Sequence, residues 1–266
     1  MTEASHNDWA LILGASSGFG EAAALKLSKA GMNICGVHLD RRATLPHVQE
    51  ITDAIKNIGR QALFFNINAA DEEKRHEAIT SLKSQIGDGF VRVLMHSLAF
   101  GTLKPFLAEK EEDEITPAQM NMTLDVMAHS LVYWVQDLRK HGLLRNGSRI
   151  FAMTSSGSLV MAPTYGAVSA AKCALESHVR QLALEFGNSG ITINAIRAGV
   201  TDTPSLQKIP GHDVMIDAAL KRNPSNRLTT PQDVAKAIVA LSGPETVWLT
   251  GNVINVDGGE MVVGTK

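Results

Sequence analysis

Short apolar, strand-like runs alternate with longer helix-patterned stretches along nearly the whole chain, and few folds accept that order of elements. The runs fall at 10–13, 33–38, 61–67, 91–96, 149–154, 192–196 and 253–256, and helical patterns separate almost all of them. Parallel neighbours in a sheet need a crossover between them, usually a helix. The alternation therefore predicts an α/β fold with a doubly wound parallel sheet covered by helices on both faces, whose ligands sit outside the carboxyl ends of the strands. Residues 1–266 read as one domain. The strand-free interval 200–249 holds Pro204, Pro210, Pro224 and Pro231, which reads as helices joined by turns, with a substrate lid around 200–225.

Composition removes several function classes. A chain of 266 residues with 44% hydrophobic content fills a substantial core, and a formal charge of −2 gives no general attraction to nucleic acid or anionic lipid. No run of apolar residues approaches the ~20 needed for a membrane span, and the first residues lack signal-peptide character, so the expected location is the cytoplasm. Cys35 and Cys173 lie far apart in a strand-like and a helix-like segment, which predicts two buried reduced thiols rather than a disulfide. Zinc-ligand spacing is absent, and no metal is expected.

The first strand runs directly into Gly14, Ala15, Ser16, Ser17, Gly18, Phe19 and Gly20, followed by a helical pattern. Such a turn offers backbone N–H groups and a helix N-terminus to a pyrophosphate. A glycine turn that only lets strand and helix pack closely is the alternative; its place on the first strand of a doubly wound, Rossmann-type sheet favours a dinucleotide.

Tyr165 and Lys172 are separated by six residues. Seven steps at roughly 100° end about 20° short of two helical turns, so both side chains point the same way with Cα atoms ~10 Å apart along the axis. A phenol acid beside a fixed cation is one outcome of that spacing, and an ordinary amphipathic face is the other.

The chain resembles the short-chain dehydrogenase/reductase family through an ordered set of motifs: Gly14, Gly18 and Gly20; Ser155 with Lys172; Ile193, Asn194, Ala195 and Ile196 with Ala198 and Gly199; and Val256, Asp257, Gly258 and Gly259. In commoner members the tyrosine stands four positions before the lysine, where this chain has Val168. Tyr165, three residues earlier, is similar to the arrangement in the enoyl-acyl-carrier-protein reductase branch. The displacement has a chemical reading. In a ketone the oxygen is bonded to the carbon that accepts hydride, whereas in an enoyl thioester hydride goes to the β-carbon and charge develops on an oxygen two carbons away. Three helix positions move a Cα by ~4.5 Å along the axis, comparable to that distance. Met127 replaces an asparagine used by many members for a proton relay, so that relay is expected to be missing. Ser155 is retained where the best-known enoyl reductases carry a second tyrosine, a combination similar to a smaller subgroup that keeps carbonyl reduction open.

The resemblance implies roles residue by residue. Tyr165 would meet the developing enolate oxygen, Lys172 the nicotinamide ribose, and Ser155 the substrate or a water; Ser155 could also be part of a polar turn. The cofactor would meet Gly14, Ser16, Ser17, Gly18, Phe19 and Gly20, Asn68 and Ala69 beside adenine, and Ser97, Leu98 and Ala99 after the fourth strand. Val200 would meet the carboxamide through its backbone and Thr203 the cofactor, with helix capping as the competing role for that hydroxyl. His96 reads as a satisfied histidine beneath the cofactor. Phe100 and Met161 would line an acyl pocket, although core is the ordinary place for either.

At the end of the second strand stand His38, Leu39, Asp40, Arg41 and Arg42. Without an acid at His38, and with two arginines to pair a phosphate, the expectation is NADPH; NADH remains possible through Asp40. What the resemblance implies is reduction of a 2-enoyl thioester on acyl carrier protein or coenzyme A, in fatty acid synthesis, by a homotetramer. A carbonyl reductase and a nucleotide-binding regulator without turnover are the alternatives.

Overall fold

The computed structural model describes residues 8–264. Its strands are β1 (Asp8–Leu13), β2 (Asn33–His38), β3 (Ala62–Asn66), β4 (Phe90–His96), β5 (Arg149–Thr154), β6 (Thr192–Ala198) and β7 (Val253–Val256). They form one seven-stranded sheet in the order β3-β2-β1-β4-β5-β6-β7, with every pairing parallel. The predicted doubly wound sheet is therefore observed, and all seven runs read from the sequence are strands. Boundaries differ by a few residues: β1 begins at Asp8 and β6 continues to Ala198, because register with β4 and β7 carries pairing past the purely apolar residues.

Successive strands lie to one side of β1 through β3 and then to the other from β4 onward. That reversal opens a crevice at the carboxyl ends of β1 and β4. Pleating explains the two cores: Trp9, Leu11 and Leu13 join one, whereas Ala10 and Ile12 join the other. Helices α3 (Glu72–Ile86), α5 (Ser130–Lys140) and α6 (Gly166–Phe186) cover the first face. Helices α1 (Gly18–Lys29), α2 (Leu45–Asn57) and α8 (Pro231–Leu241) cover the second. The remaining helices are α4 (Pro117–Leu124), joined to α5 by a π-helical segment at Asp125–His129, and α7 (His212–Arg222).

The interval 200–249 does consist of helices and turns, as read. Pro231 occupies the first turn of α8, where its missing N–H is harmless, and Thr230 and Asp233 form a reciprocal capping box. Among the described residues no helix is long and apolar enough to cross a membrane, and no group of three or more His, Cys, Asp or Glu could hold a metal ion. The cysteine expectation is half corrected. Cys35 is buried in β2, which pushes its thiol pKa up, but Cys173 is exposed. Cys173 follows Lys172 by one residue, and roughly 100° of helix rotation turns it away from the sheet.

The entry to α1 depends on bare backbone. A Cβ at Gly20 would run into the Gly14 carbonyl, with Ala15 Cα also close at 3.3 Å. Backbone cannot give way as a flexible side chain does. Gly20→Ala is expected to cost roughly 1–3 kcal/mol through overpacking, measured as a lower urea midpoint at unchanged slope.

Candidate active site

Chain segments from five places converge where the sheet order reverses. Gly14 and Ala15 donate backbone N–H groups to the Val37 carbonyl of β2 at 2.8 and 3.0 Å, and Ser97 N–H donates to the Leu13 carbonyl at 2.8 Å. Gly14 has φ +91° and no room for a side chain, since a Cβ there would press on the Ser97 carbonyl. Gly18 has φ +56°, and a Cβ there would lie 3.5 Å from Thr203 Cγ2. Ser17, the N-cap of α1, makes no side-chain cap, so the first-turn N–H groups have no partner from that hydroxyl. A glycine cradle that a Cβ would fill, opening on an uncapped helix N-terminus, fits a pyrophosphate.

Beside it, His38 Nδ1 and Asp40 Oδ2 are 2.9 Å apart, and the Thr44 hydroxyl donates to Asp40 Oδ1 at 2.7 Å. Burial alone raises the Asp40 pKa, but hydrogen bonds from Ser16, Thr44 and His38 outweigh it and hold the carboxyl below its ordinary value. His38 is shifted down because burial outweighs Asp40. The acid therefore reaches back to the glycine turn, whereas Arg41 and Arg42 are exposed. Asn68 is exposed and its side chain accepts from Ala70 N–H at 3.1 Å, as in a turn. Ala69 is buried and its carbonyl accepts from Trp134 Nε1 at 2.9 Å.

Tyr165 and Lys172 both reach the end of β5. Lys172, 5% exposed, donates from Nζ to the Met153 carbonyl at 2.7 Å. Burial lowers its pKa to about 8, and Glu176 opposes the shift. Tyr165 is the N-cap of α6, and its hydroxyl stands 3.5 Å from Ser155 Oγ. Gly157 N–H donates to Ser155 Oγ at 3.2 Å. A Cβ at Gly157 would run into the Tyr165 ring. Burial raises the phenol's pKa, against a smaller opposing effect of Ser155, so it is a neutral proton donor near pH 7.

His96 is fully buried, with Nε2 2.9 Å from Ser130 Oγ. Burial first and the charge of Lys172 second lower its pKa to about 3, so it is neutral and held in place. Met127 is buried in the π-helical segment and supplies no donor. Val168 is also buried, and its Cγ2 would lie 3.0 Å from a Cβ at Gly101. Position 168 thus presents a packed methyl, not a hydroxyl, and the phenol of this chain stands at 165 instead.

Two expected contacts have other partners. Val200 N–H donates to Glu260 Oε2 at 3.1 Å, which leaves only its carbonyl free for a carboxamide. Thr203 Oγ1 accepts from Leu206 N–H at 3.2 Å, the capping role named as its competitor. Phe100 and Met161 are surface residues, 56% and 67% exposed, rather than core. They have company that the sequence did not single out: Phe106, Leu107, Leu159 and Val160 are exposed too, and Phe106 lies against Gly166 at the head of α6. The adjacent triplet Leu159, Val160 and Met161 just before Tyr165 was the readable signal.

Thr164 was missed for a different reason. Tyr165 N–H donates to the Ala162 carbonyl at 3.2 Å, closing a turn with Pro163 second and Thr164 third. Thr164 has φ +61°, the left-handed conformation that a type II turn reserves for glycine or asparagine. Its hydroxyl is buried without a partner. Two local costs thus sit next to the phenol.

Residues 14–260 match a family model described as enoyl-(acyl carrier protein) reductase. The chain is 31% identical over 255 residues to 1-cyclohexenylcarbonyl-CoA reductase of Streptomyces collinus, covering 95% of this chain and 86% of that protein. It is 28% identical over 249 residues to the 3-oxoacyl-[acyl-carrier-protein] reductase FabG of Aggregatibacter actinomycetemcomitans, covering 94% and 97%. In fold it is similar to the crystal structure of an enoyl-[acyl-carrier-protein] reductase (NADH) from Aquifex aeolicus VF5, with TM-score 0.84, 23% identity, and coverage of 97% and 98%.

The strain at Thr164 is measurable. A left-handed conformation costs a non-glycine residue roughly 1–2 kcal/mol, and asparagine less. Thr164→Asn is expected to raise Tm by about 2–4 °C per kcal/mol relieved, read by differential scanning calorimetry; an unchanged or lower Tm would show that the turn is unstrained.

Proposed function

The chain belongs to the short-chain dehydrogenase/reductase family, and on that premise we propose that it reduces the double bond of a 2-enoyl thioester carried on coenzyme A or acyl carrier protein. The observation that carries this reading is the origin of the phenol: Tyr165 stands at the head of α6 beside Ser155, while position 168 is closed by a buried valine. A reduced nicotinamide, when bound, supplies the hydride. The glycine cradle and the α1 N-terminus would hold its pyrophosphate, and Lys172 its ribose. Tyr165 would donate a hydrogen bond, and then a proton, to the thioester oxygen on which charge develops; the resulting enol takes up a proton at its α-carbon and releases the one on oxygen, which leaves the saturated thioester. Ser155, with its oxygen already accepting from Gly157 N–H, keeps its own proton available to donate. Phe100, Phe106 and Leu159 to Met161 would shelter the acyl group from water. The similarity to a cyclohexenylcarbonyl-CoA reductase supports unsaturated thioesters as the class to try first. One domain, a lid at 200–225, a homotetramer and a place in fatty acid synthesis belong to the same proposal.

A second reading, reduction of 3-oxoacyl thioesters, is favoured by the pairing of Ser155 with Tyr165 and by the similarity to a 3-oxoacyl reductase. Steady-state nicotinamide oxidation against matched crotonyl, cyclic enoyl and acetoacetyl thioesters separates the two. Tyr165→Phe is expected to lower enoyl turnover by ~10² to 10³, the loss typical of one donor to a developing oxyanion, with nicotinamide affinity nearly unchanged. Ser155→Ala should cost far less. A wild type that prefers acetoacetyl thioesters, or a phenylalanine variant with full enoyl turnover at rate-limiting chemistry, overturns the first reading.

For the cofactor we propose NADPH, gripped by Arg41 and Arg42; a reading with NADH rests on Asp40 and its hydrogen bond from Ser16. The double Arg41→Ala, Arg42→Ala variant should weaken NADPH roughly tenfold or more while sparing NADH, because a charge-assisted phosphate contact contributes about 1.5–3 kcal/mol. If instead Asp40→Asn weakens NADH and improves NADPH, with the arginine variant neutral, the diol reading replaces it. Fluorescence titration measures both.

A further inference from the structure

The face of α6 that carries Tyr165 and Lys172 continues one turn further. Residues 165, 169, 172 and 176 follow helical spacing and form a single stripe. Each is fastened to the stretch 153–161. Tyr165 packs on Gly157, Ser169 Oγ lies 3.7 Å from Met161 Sδ, and Lys172 holds the Met153 carbonyl at 2.7 Å. Glu176 makes the densest of these attachments. Its Oε1 accepts from the Thr154 hydroxyl at 2.7 Å, the Ser158 hydroxyl at 2.8 Å and Arg197 Nη2 at 3.0 Å. Thr154 immediately precedes Ser155, and Ser158 Oγ also lies 3.1 Å from the Ser155 carbonyl. The backbone on both sides of Ser155 is thus tied to one carboxylate.

Arg197, on β6, supplies the counter-charge. It reaches Ser158 Oγ at 3.2 Å and Asn255 Oδ1 on β7 at 3.5 Å, while its buried Nε has no partner. Both members of the pair are buried, Glu176 at 9% and Arg197 at 7% exposure. A buried ion pair seldom stabilises a fold more than apolar residues of the same volume would. Its position beneath Ser155 and one helical turn beyond Lys172 suits a different purpose.

We infer that Glu176 is a positioning residue for this site: clamped by Arg197, it fixes the Thr154–Ser158 turn that presents Ser155 and keeps a negative charge behind the Lys172 ammonium. The inference rests on the reductase reading only for the role of Ser155. Lys172 is buried, and the charged or titratable groups that act with it are Glu176 on its own helix and His96 from β4, with Arg197 from β6 paired to Glu176. His96 is neutral, with its pKa at about 3. Glu176 raises the Lys172 pKa against the larger effect of burial, which brings it to about 8. The ammonium is therefore present at pH 7 and lost as pH rises through 8.

Glu176→Gln keeps the shape and an acceptor oxygen but removes the charge. In the nucleotide-free protein, heteronuclear NMR of the Lys172 side chain should show titration at lower pH than in wild type. Nicotinamide binding, followed by fluorescence, should fail at correspondingly lower pH. In turnover with the thioester the wild type reduces, kcat should fall tenfold or more at pH 7, and the Glu176→Gln, Ser155→Ala double variant should lose clearly less than the product of the two single losses, because the Ser155 part is shared while the Lys172 part is not. Should Glu176→Gln unfold around an unpaired Arg197, the Glu176→Gln, Arg197→Met protein removes both charges and carries the same NMR expectation. A Lys172 titration that stays in place in a folded variant, or additive losses with Ser155→Ala, overturns the inference. Absence of turnover by the wild type rejects the reductase reading and leaves the NMR result to judge Glu176 separately.

Discussion

The rest of the site hangs on one buried contact, the Lys172 ammonium on the Met153 carbonyl at the end of β5. It fixes α6 against the sheet at a defined height and so decides where Tyr165, at the head of the same helix, arrives. A charge so deeply buried is held at a cost. Because the folded pKa of about 8 lies below the ordinary 10.5, the folded state gives up this proton before the unfolded chain does. Stability from this residue rises as pH climbs from 8 to 10.5 and is smallest below 8. Near pH 7 the fold therefore retains a cation that opposes its stability, which is the pattern expected when charge serves a ligand.

The second constraint is backbone against backbone. Gly20 accepts no side chain because the Gly14 carbonyl lies against it, and Gly14 accepts none because it abuts the Ser97 carbonyl. This brings the first strand, the head of α1 and the loop after β4 to one place at the point where the sheet order reverses. Asp40 joins them from beyond β2 through Ser16, and Thr203 through Gly18. A dinucleotide lying there would touch segments far apart in sequence, each delivered by the carboxyl end of a different strand or the loop that follows it.

What was legible in the sequence is what depends on local pattern. Strands such as Asn33–His38 and Arg149–Thr154 are apolar enough to be read to the residue, because both faces of a parallel sheet are buried. The glycine turn and the Tyr165 to Lys172 spacing are equally local. Long-range partnership is not. Glu176 looks like an ordinary helix glutamate until Arg197 and the Thr154 and Ser158 hydroxyls are brought to it by the sheet. Cys173 reads as buried from its helix-like segment, yet its position on the helix faces outward, a distinction set by which face of α6 packs on the sheet. Phe100 and Met161 read as pocket lining with core as the ordinary place for either, and only their surroundings, which leave both exposed, decide against core.

Thr164 and Val168 together explain why the phenol sits where it does. Position 168 faces Gly101, Thr123 and Met127, a packed seam in which even a methyl on Gly101 would touch neighbours at 2.8 to 3.0 Å. Position 165 lies outside that seam, before the first turn of α6, and its ring rests on the bare Cα of Gly157. To deliver it, the chain must reverse just before the helix, which the Ala162–Tyr165 turn accomplishes by placing Thr164 at a positive φ. The positive φ at Thr164 thus accompanies the phenol's place at the head of the helix. The turn stands beside an exposed apolar stretch at Leu159, Val160 and Met161, so the backbone that places the phenol and the apolar surface next to it are made by the same few residues.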